Sequence, residues 1–252
     1  MNKVRKRRGN SRYYLFFFLS LLIASSLGIG VWYTLTHVNL FQLKKINING
    51  TTAIPDSLIQ KATSHYLGAN LLSISSADIK RDLHKFSRVK DVKLRKKLLH
   101  SLDINIEERK GVLYVKSYEG DLYPIDAEGV VLAKYSTVYN EDIPVFSTYY
   151  VGKQLKAGLR LKKNGLTRIL NLHQRIQKEA PDFIPYISEY FFIDNTINIV
   201  DAKHGTRLIP SEDDLANQLK RYIFVQENGN IDRRGVVDLR FKNQVVVKAG
   251  NK

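Results

Sequence analysis

Val89–Arg109 reads VKDVKLRKKLLHSLDINIEER. Within it, Val89–Arg95 (VKDVKLR) and Leu102–Ile106 (LDINI) alternate apolar and polar side chains, the two-residue period of a half-buried strand. Lys96–Ser101 between them suits a hairpin connection. Upstream the period changes from two to that of a helix. Pro55 opens one helix that runs to about Tyr66, with Leu58, Ile59 and Ala62 on one face and Gly68 as a stop. A second starts after Ser76 and carries Ile79, Leu83 and Phe86 at helical spacing. Before both, Phe41–Ile48 (FQLKKINI) alternates again and Asn49-Gly50 halts it. Residues 41–109 therefore read β-α-α-β-β, one sheet covered by two helices.

Further upstream the chemistry changes abruptly. Lys3, Arg5, Lys6, Arg7, Arg8 and Arg12 crowd the first twelve positions with no acid among them, and Tyr13–Leu43 then holds no Asp, Glu, Lys or Arg. Tyr13–Tyr33 (YYLFFFLSLLIASSLGIGVWY) supplies the roughly 20 apolar residues that a membrane-crossing helix needs. Tyr13, Tyr14, Trp32 and Tyr33 sit where interfacial aromatic belts are found, and the basic flank predicts a cytoplasmic N-terminus. A cleaved signal peptide would have a shorter apolar core and a small-x-small site; Ala24-Ser25-Ser26 is a poor one, so an uncleaved anchor is expected. This divides the N-terminal part into a basic tail (1–12), a transmembrane helix (13–33) and a linker (34–40).

Residues 110–250 read as a second, mixed β domain. Short strands are expected at Val112–Lys116, Asp121–Ile125 and Val130–Leu132, the last two joined across an Asp126–Gly129 turn. An amphipathic helix from Leu166 to Lys178 follows, ended by Pro181. Strands at Tyr186–Ile193 and Thr196–Asp201 flank Asp194-Asn195. Ser211 then reads as the cap of a helix with Glu212, Asp213 and Asp214 in its first turn and Leu215, Leu219, Tyr222 and Ile223 as its buried stripe. Two last strands, Gly235–Phe241 (GVVDLRF) and Gln244–Lys248 (QVVVK), surround Lys242-Asn243.

The 252 residues carry 40 basic and 24 acidic side chains, a net charge of +16, and no cysteine. Disulfides, thiolate catalysis and cysteine-held metals are therefore excluded. No histidine stands at metal-ligand spacing, and no nucleophile elbow, acyl-transfer motif or phosphate-cradling loop occurs, so no enzyme, cofactor, metal or small-molecule substrate is expected. His173 falls on the apolar side of its helix and reads as a packed histidine. Glu107 and Glu108 are neighbours on a strand and point to opposite faces. Lys90–Lys97 is basic but lacks the interleaved aromatics of a nucleic-acid platform, and no nucleic-acid partner is expected. What remains is the terminal strand with Val245, Val246 and Val247. At a sheet edge it would be a template for a partner strand; in a sheet interior its neighbours would cover it.

The order of these parts resembles the FtsQ/DivIB bacterial cell-division proteins: a short basic tail, one span, a POTRA domain and a β domain. The resemblance rests on Phe41–Gly50 (FQLKKINING), on Val89–Arg109 as the paired POTRA strands, on Ile125–Gly129 (IDAEG) as the hairpin opening the β domain, and on Val237–Phe241 (VDLRF) for the late V-D-L-R-Y motif. Leu99 stands where the family commonly has Pro, and Lys110-Gly111 follows Arg109 without one. The resemblance implies an α+β, non-catalytic divisome scaffold in the cytoplasmic membrane at the septum, with its C-terminal part outside the cytoplasm. Its implied partners are FtsB and FtsL, other divisome membrane proteins and membrane lipid. An FtsB segment would add a strand at the C-terminal edge, so the partner-binding residues expected are Val237, Leu239, Arg240, Phe241, Val245, Val246 and Val247. Arg240 and Phe241 fall on family positions that contact FtsB, with Phe241 in place of Tyr. The alternative is an envelope-assembly or export factor whose POTRA domain is a chaperone-like docking module.

Overall fold

The computed structural model describes residues 11–37, 41–97, 100–135, 141–162, 164–211, 213–229, 231 and 235–248. Most of the basic tail, the end of the linker, Leu99 and the last residues of the β domain lie outside them. The chain divides into two compact units. One holds the chain up to Asn49 together with Asp56–Asp82 and Val92–Asn105; the other holds Gly50–Pro55, Leu83–Asp91 and everything from Ile106 on.

The first unit begins with α1, Ser11–His37. Its segment Tyr13–Thr34 has a mean hydropathy of 2.1 and none of it is buried, the length and composition of a single membrane crossing. The helix satisfies its own polar side chains. Ser20, Ser25 and Ser26 donate to carbonyls three residues back, and Thr34 donates to Gly30 O; in hydrocarbon no water would do so. The helix continues through His37, into the stretch read as linker.

The β-α-α-β-β order is present as β1 (Lys45–Asn49), α2 (Asp56–Thr63, extended by a 3-10 turn at Ser64–Tyr66), α3 (Ser76–Leu83), β2 (Val89–Lys97) and β3 (Ser101–Glu108). The sheet order is β1-β3-β2. β1 runs parallel to β3, from Lys45 opposite Ser101 to Asn49 opposite Asn105, a pairing that requires a long crossover, here the two helices. The strand expected from Phe41 starts only at Lys45, because Gln42 bridges to Asn70 instead. Ile59, Leu71, Ile79, Val92, Leu102 and Ile104 are buried in this unit.

The second unit is built on an eight-stranded sheet of order β11-β10-β9-β8-β7-β6-β4-β5. Its strands are β4 (Leu113–Ser117), β5 (Leu122–Ile125), β6 (Val145–Tyr150), β7 (Ile187–Ile193), β8 (Thr196–Asp201), β9 (Arg207–Ile209), β10 (Val236–Asp238) and β11 (Val246–Lys248). Helices α4 (Asn164–Glu179) and α5 (Leu215–Asn228) supply Leu166, Ile169, Ile176, Leu215, Leu219 and Tyr222 to one core with Val115, Phe146, Tyr190, Ile199, Leu208 and Val237. The sheet is mixed: β4–β6, β6–β7 and β9–β10 are parallel pairs. The Asp194-Asn195 turn has positive φ at both residues, 45° and 61°, the left-handed pair that a tight two-residue hairpin demands.

Four sequence expectations change here. β6 and β9 carried no readable signal. Val130–Leu132 forms bridges to Ile125 and Arg160 rather than a strand. Ser211 does not cap α5: its hydroxyl accepts from Asp213 N, and the helix begins at Leu215 after a left-handed Asp214. The last two strands are shorter than expected, three residues each.

Around the second unit's first strands, polar side chains hold the loops. Glu108 accepts the backbone N–H groups of Thr52, Ala53 and Ile54 at 2.9–3.0 Å, while Glu107 on the opposite face pairs with Lys90 at 2.6 Å. Arg88, 1 % exposed, donates to Ala133 O and to Glu141. His173 is buried with Nδ1 2.9 Å from the Tyr190 hydroxyl, and burial brings its pKa down to about 4.

Candidate functional site

The site is the edge of the eight-stranded sheet formed by β10 and β11, and its side chains follow from register. β10 pairs parallel with β9 and antiparallel with β11, so Leu208, Val237 and Val247 lie side by side on one face, and Ile209, Asp238 and Val246 on the other. Leu208 and Val237 are fully buried under the helices. Val247, one strand further out on the same face, is 43 % exposed because β11 is the last strand of the sheet. The core face of the sheet thus runs out to an uncovered edge.

The expected partner-binding residues divide into three groups. Val237 and Leu239 are core residues, 0 % and 1 % exposed, so their role at the edge is to hold it in place. Arg240 and Phe241 lie beyond the end of β10, where the chain turns. Val245 is not in β11 but packs partly against the core; Val246 and Val247 form the strand with Lys248.

Asp238, which sequence reasoning passed over, organises this turn. Its carboxylate accepts Arg240 Nε at 2.9 Å, Arg240 Nη2 at 2.6 Å and the Arg240 backbone N–H at 3.1 Å. The Arg240 guanidinium holds the Asp238 carboxyl below its usual range. A carboxylate two residues before an arginine on a strand, hence on the same face, was the available signal. Leu239 N–H still bonds Ile209 O at 2.9 Å, and the chain then reverses through Asn243 at φ 58°. Arg221 of α5 donates to Asn243 Oδ1 and ties the turn to the helix. Phe241 is left 49 % exposed at the turn.

A cavity of about 300 Å³ adjoins the turn, lined by Arg168, Leu172, Asn195, Ile197, Pro210 and Arg240 among others. Arg168 is pinned by Asn195 and lies over the Phe192 ring. Arg240 reaches the cavity with its charge already met by Asp238, which leaves Arg168 as the cation that could take an acidic side chain there. Among the described residues no group of three or more His, Asp or Glu is placed to hold a metal ion. The edge thus combines a terminal strand, an exposed aromatic and a recess bordered by two arginines.

Comparison with known proteins gives this edge its context. Residues 41–109 match the family model of the FtsQ-type POTRA domain. The chain carries an FtsQ-type POTRA domain. It is also homologous to bacterial cell-division proteins. The DivIB of Solibacillus silvestris is 24 % identical over 200 residues, 78 % of this chain and 66 % of that protein. The DivIB of Clostridium acetobutylicum is 26 % identical over 225 residues, 82 % of each. The FtsQ of Caulobacter vibrioides is 33 % identical over 94 residues, 37 % of this chain and 31 % of that protein. The likeness to DivIB therefore extends past the POTRA domain into the β domain that carries the edge, and it supports a role in cell division.

Proposed function

We propose that this DivIB/FtsQ homologue is a non-catalytic, single-pass scaffold of the divisome that binds the FtsB–FtsL pair by strand addition to β11 at the division septum. α1 holds it in the cytoplasmic membrane with the N-terminus inside, and residues 41–248 work on the other side. The observation that carries the reading is the uncovered edge: β11 ends the sheet without a proline, and Val247 continues the core face into solvent. A partner strand laid against β11 would complete its backbone hydrogen bonds and cover Val247. Arg240, Phe241 and the cavity beside them would read the partner's side chains.

The test is binding of the full chain, in lipid nanodiscs, to the soluble parts of FtsB and FtsL. Amides of consecutive strand residues face opposite sides, so of Val246 and Val247 one faces β10 and the other faces out. Proline at the outward position removes a docking donor without touching the β10–β11 pairing. One of Val246→Pro and Val247→Pro is expected to keep the native circular dichroism and lose binding by at least about 50-fold, roughly 2 kcal/mol. Phe241→Ala should weaken binding by about tenfold, a loss typical of one interfacial anchor. Normal binding by both proline variants would remove the edge from the function.

A further inference from the structure

The outer face of the three-stranded sheet, turned away from α2 and α3, is polar and cationic. Register sets Lys45, Asn47 and Asn49 beside Ser101, Asp103 and Asn105. Lys97 Nζ lies 2.8 Å from Asp103 Oδ2, which puts Lys97 on that face, and alternation puts Arg95 and Lys93 with it. Lys96, one residue out of phase, reaches the other way and donates to Ile74 O. Lys45, Lys93 and Arg95 are all exposed and make no ion pair among the described residues. Of the acids on this face, Asp103 is engaged by Lys97 and Asn47 and Glu107 by Lys90, which leaves Asp91 against Lys45, Lys93 and Arg95.

This cationic end is also where the chain arrives from the membrane. The N–H groups of Lys44 and Lys45 both donate to His100 O, at 2.9 and 3.1 Å, so the start of β1 sits beside the β2–β3 connection. α1 ends at His37 and β1 begins at Lys45; those eight steps of chain reach at most about 28 Å. A charged face tethered so closely meets a membrane surface at high effective concentration. We propose that Lys45, Lys93 and Arg95 rest on anionic phospholipid headgroups of the leaflet from which α1 emerges. The contact is electrostatic, since the face offers headgroups cations and amides and inserts no apolar side chain. Each cation contributes about fivefold to occupancy, and the attraction fades beyond about 8 Å at physiological salt.

The cysteine-free chain makes a direct test available. Single cysteines are introduced by Asn105→Cys, on the cationic face, and by Ala77→Cys, at an exposed position of α3, and each is labelled with a fluorophore. The full-length protein is reconstituted in vesicles of phosphatidylcholine alone or mixed with phosphatidylglycerol, containing a headgroup-linked quencher. Quenching at position 105 is expected to exceed that at position 77 several-fold in the anionic vesicles only. High salt should remove the difference, and so should Lys45→Glu with Arg95→Glu in a chain whose circular dichroism is unchanged. Equal quenching at the two positions, or quenching at 105 indifferent to phosphatidylglycerol, to salt or to charge reversal, would overturn the proposal.

Discussion

At one end of the eight-stranded sheet lies β5, with Pro124 in its middle; at the other lies β11, with Val246 and Val247 and no proline. Pro124 O accepts from Leu132 N at 2.8 Å, so that residue's carbonyl points away from β4 and its ring stands where an outward N–H would have been. Beyond it, Ile125 bridges to Val131, and Asp126 turns the chain back by accepting Glu128 N and Val130 N at 2.9 and 2.8 Å. Val131 and Leu132 are consequently buried at 0 % and 1 %. β11 has no such cover among the described residues, and Val247 remains 43 % exposed. One sheet thus holds a finished edge and an open one. The difference shows that an exposed edge strand is avoidable in this fold, which is why the open one reads as a docking site.

The comparison can be broken most strongly at Asp126. Asp126→Ala orphans two backbone donors and takes the 2.5 Å partner from the Arg109 guanidinium, which keeps only Glu128 at 3.5 Å. A loss of about 4 kcal/mol in urea denaturation is expected, as for other broken buried pairs, with amide exchange rising at Val131 and Leu132. At the open edge, Leu239→Ala should cost about 3 kcal/mol because its side chain is 1 % exposed. Phe241→Ala, two residues on, should cost under about 0.5 kcal/mol because that ring is half exposed. Equal costs for the two would erase the division between support and contact residues.

Acid loosens the sheet between both edges. Burial lowers the pKa of His173 from 6.5 to about 4, so between those values the unfolded chain binds a proton that the folded chain refuses. Stability should therefore fall as pH drops from about 7 to 4, by about 3 kcal/mol in all. His173→Gln should flatten that slope in thermal melts while leaving the binding of partners to β11 unchanged. The smallest effect is expected from Pro124→Thr. It restores one outward donor on β5 and should change stability by no more than about 0.3 kcal/mol, because residues 130–132 still cover the strand. Concentration-dependent self-association of this variant in sedimentation would show that the proline alone finished that edge.

Much of this was legible from local pattern. The apolar run of α1, the alternation in β2 and β3, the helical faces of α2, α3 and α4, and the left-handed turn at Asp194-Asn195 are each fixed by residues within a few positions of one another. β6 and β9 escaped because VFSTYY breaks strict alternation and Arg207–Ile209 is too short to show a period. The Ser211 cap failed for a related reason: a capping residue and its acids suffice to begin a helix, but Asp214 in a left-handed conformation delays it to Leu215. At the candidate site the seven residues were found together, yet their roles were not. In GVVDLRF the charge and phase of Arg240 set it apart, but Phe241 is in phase with Val237 and Leu239, and only the turn that follows β10 leaves it out of the core.

By itself the sequence determined the membrane-spanning segment, the β-α-α-β-β domain and the valine-rich terminal strand, because hydrophobic periodicity and turn chemistry act over a few residues. Only the tertiary structure decided that β11 is an edge and β10 is not, and that Asp238 holds Arg240. It also decided that β1 enters beside the cationic end of its sheet. Those facts depend on which strand becomes whose neighbour, a choice made by burial across the whole core and written in no single stretch of chain.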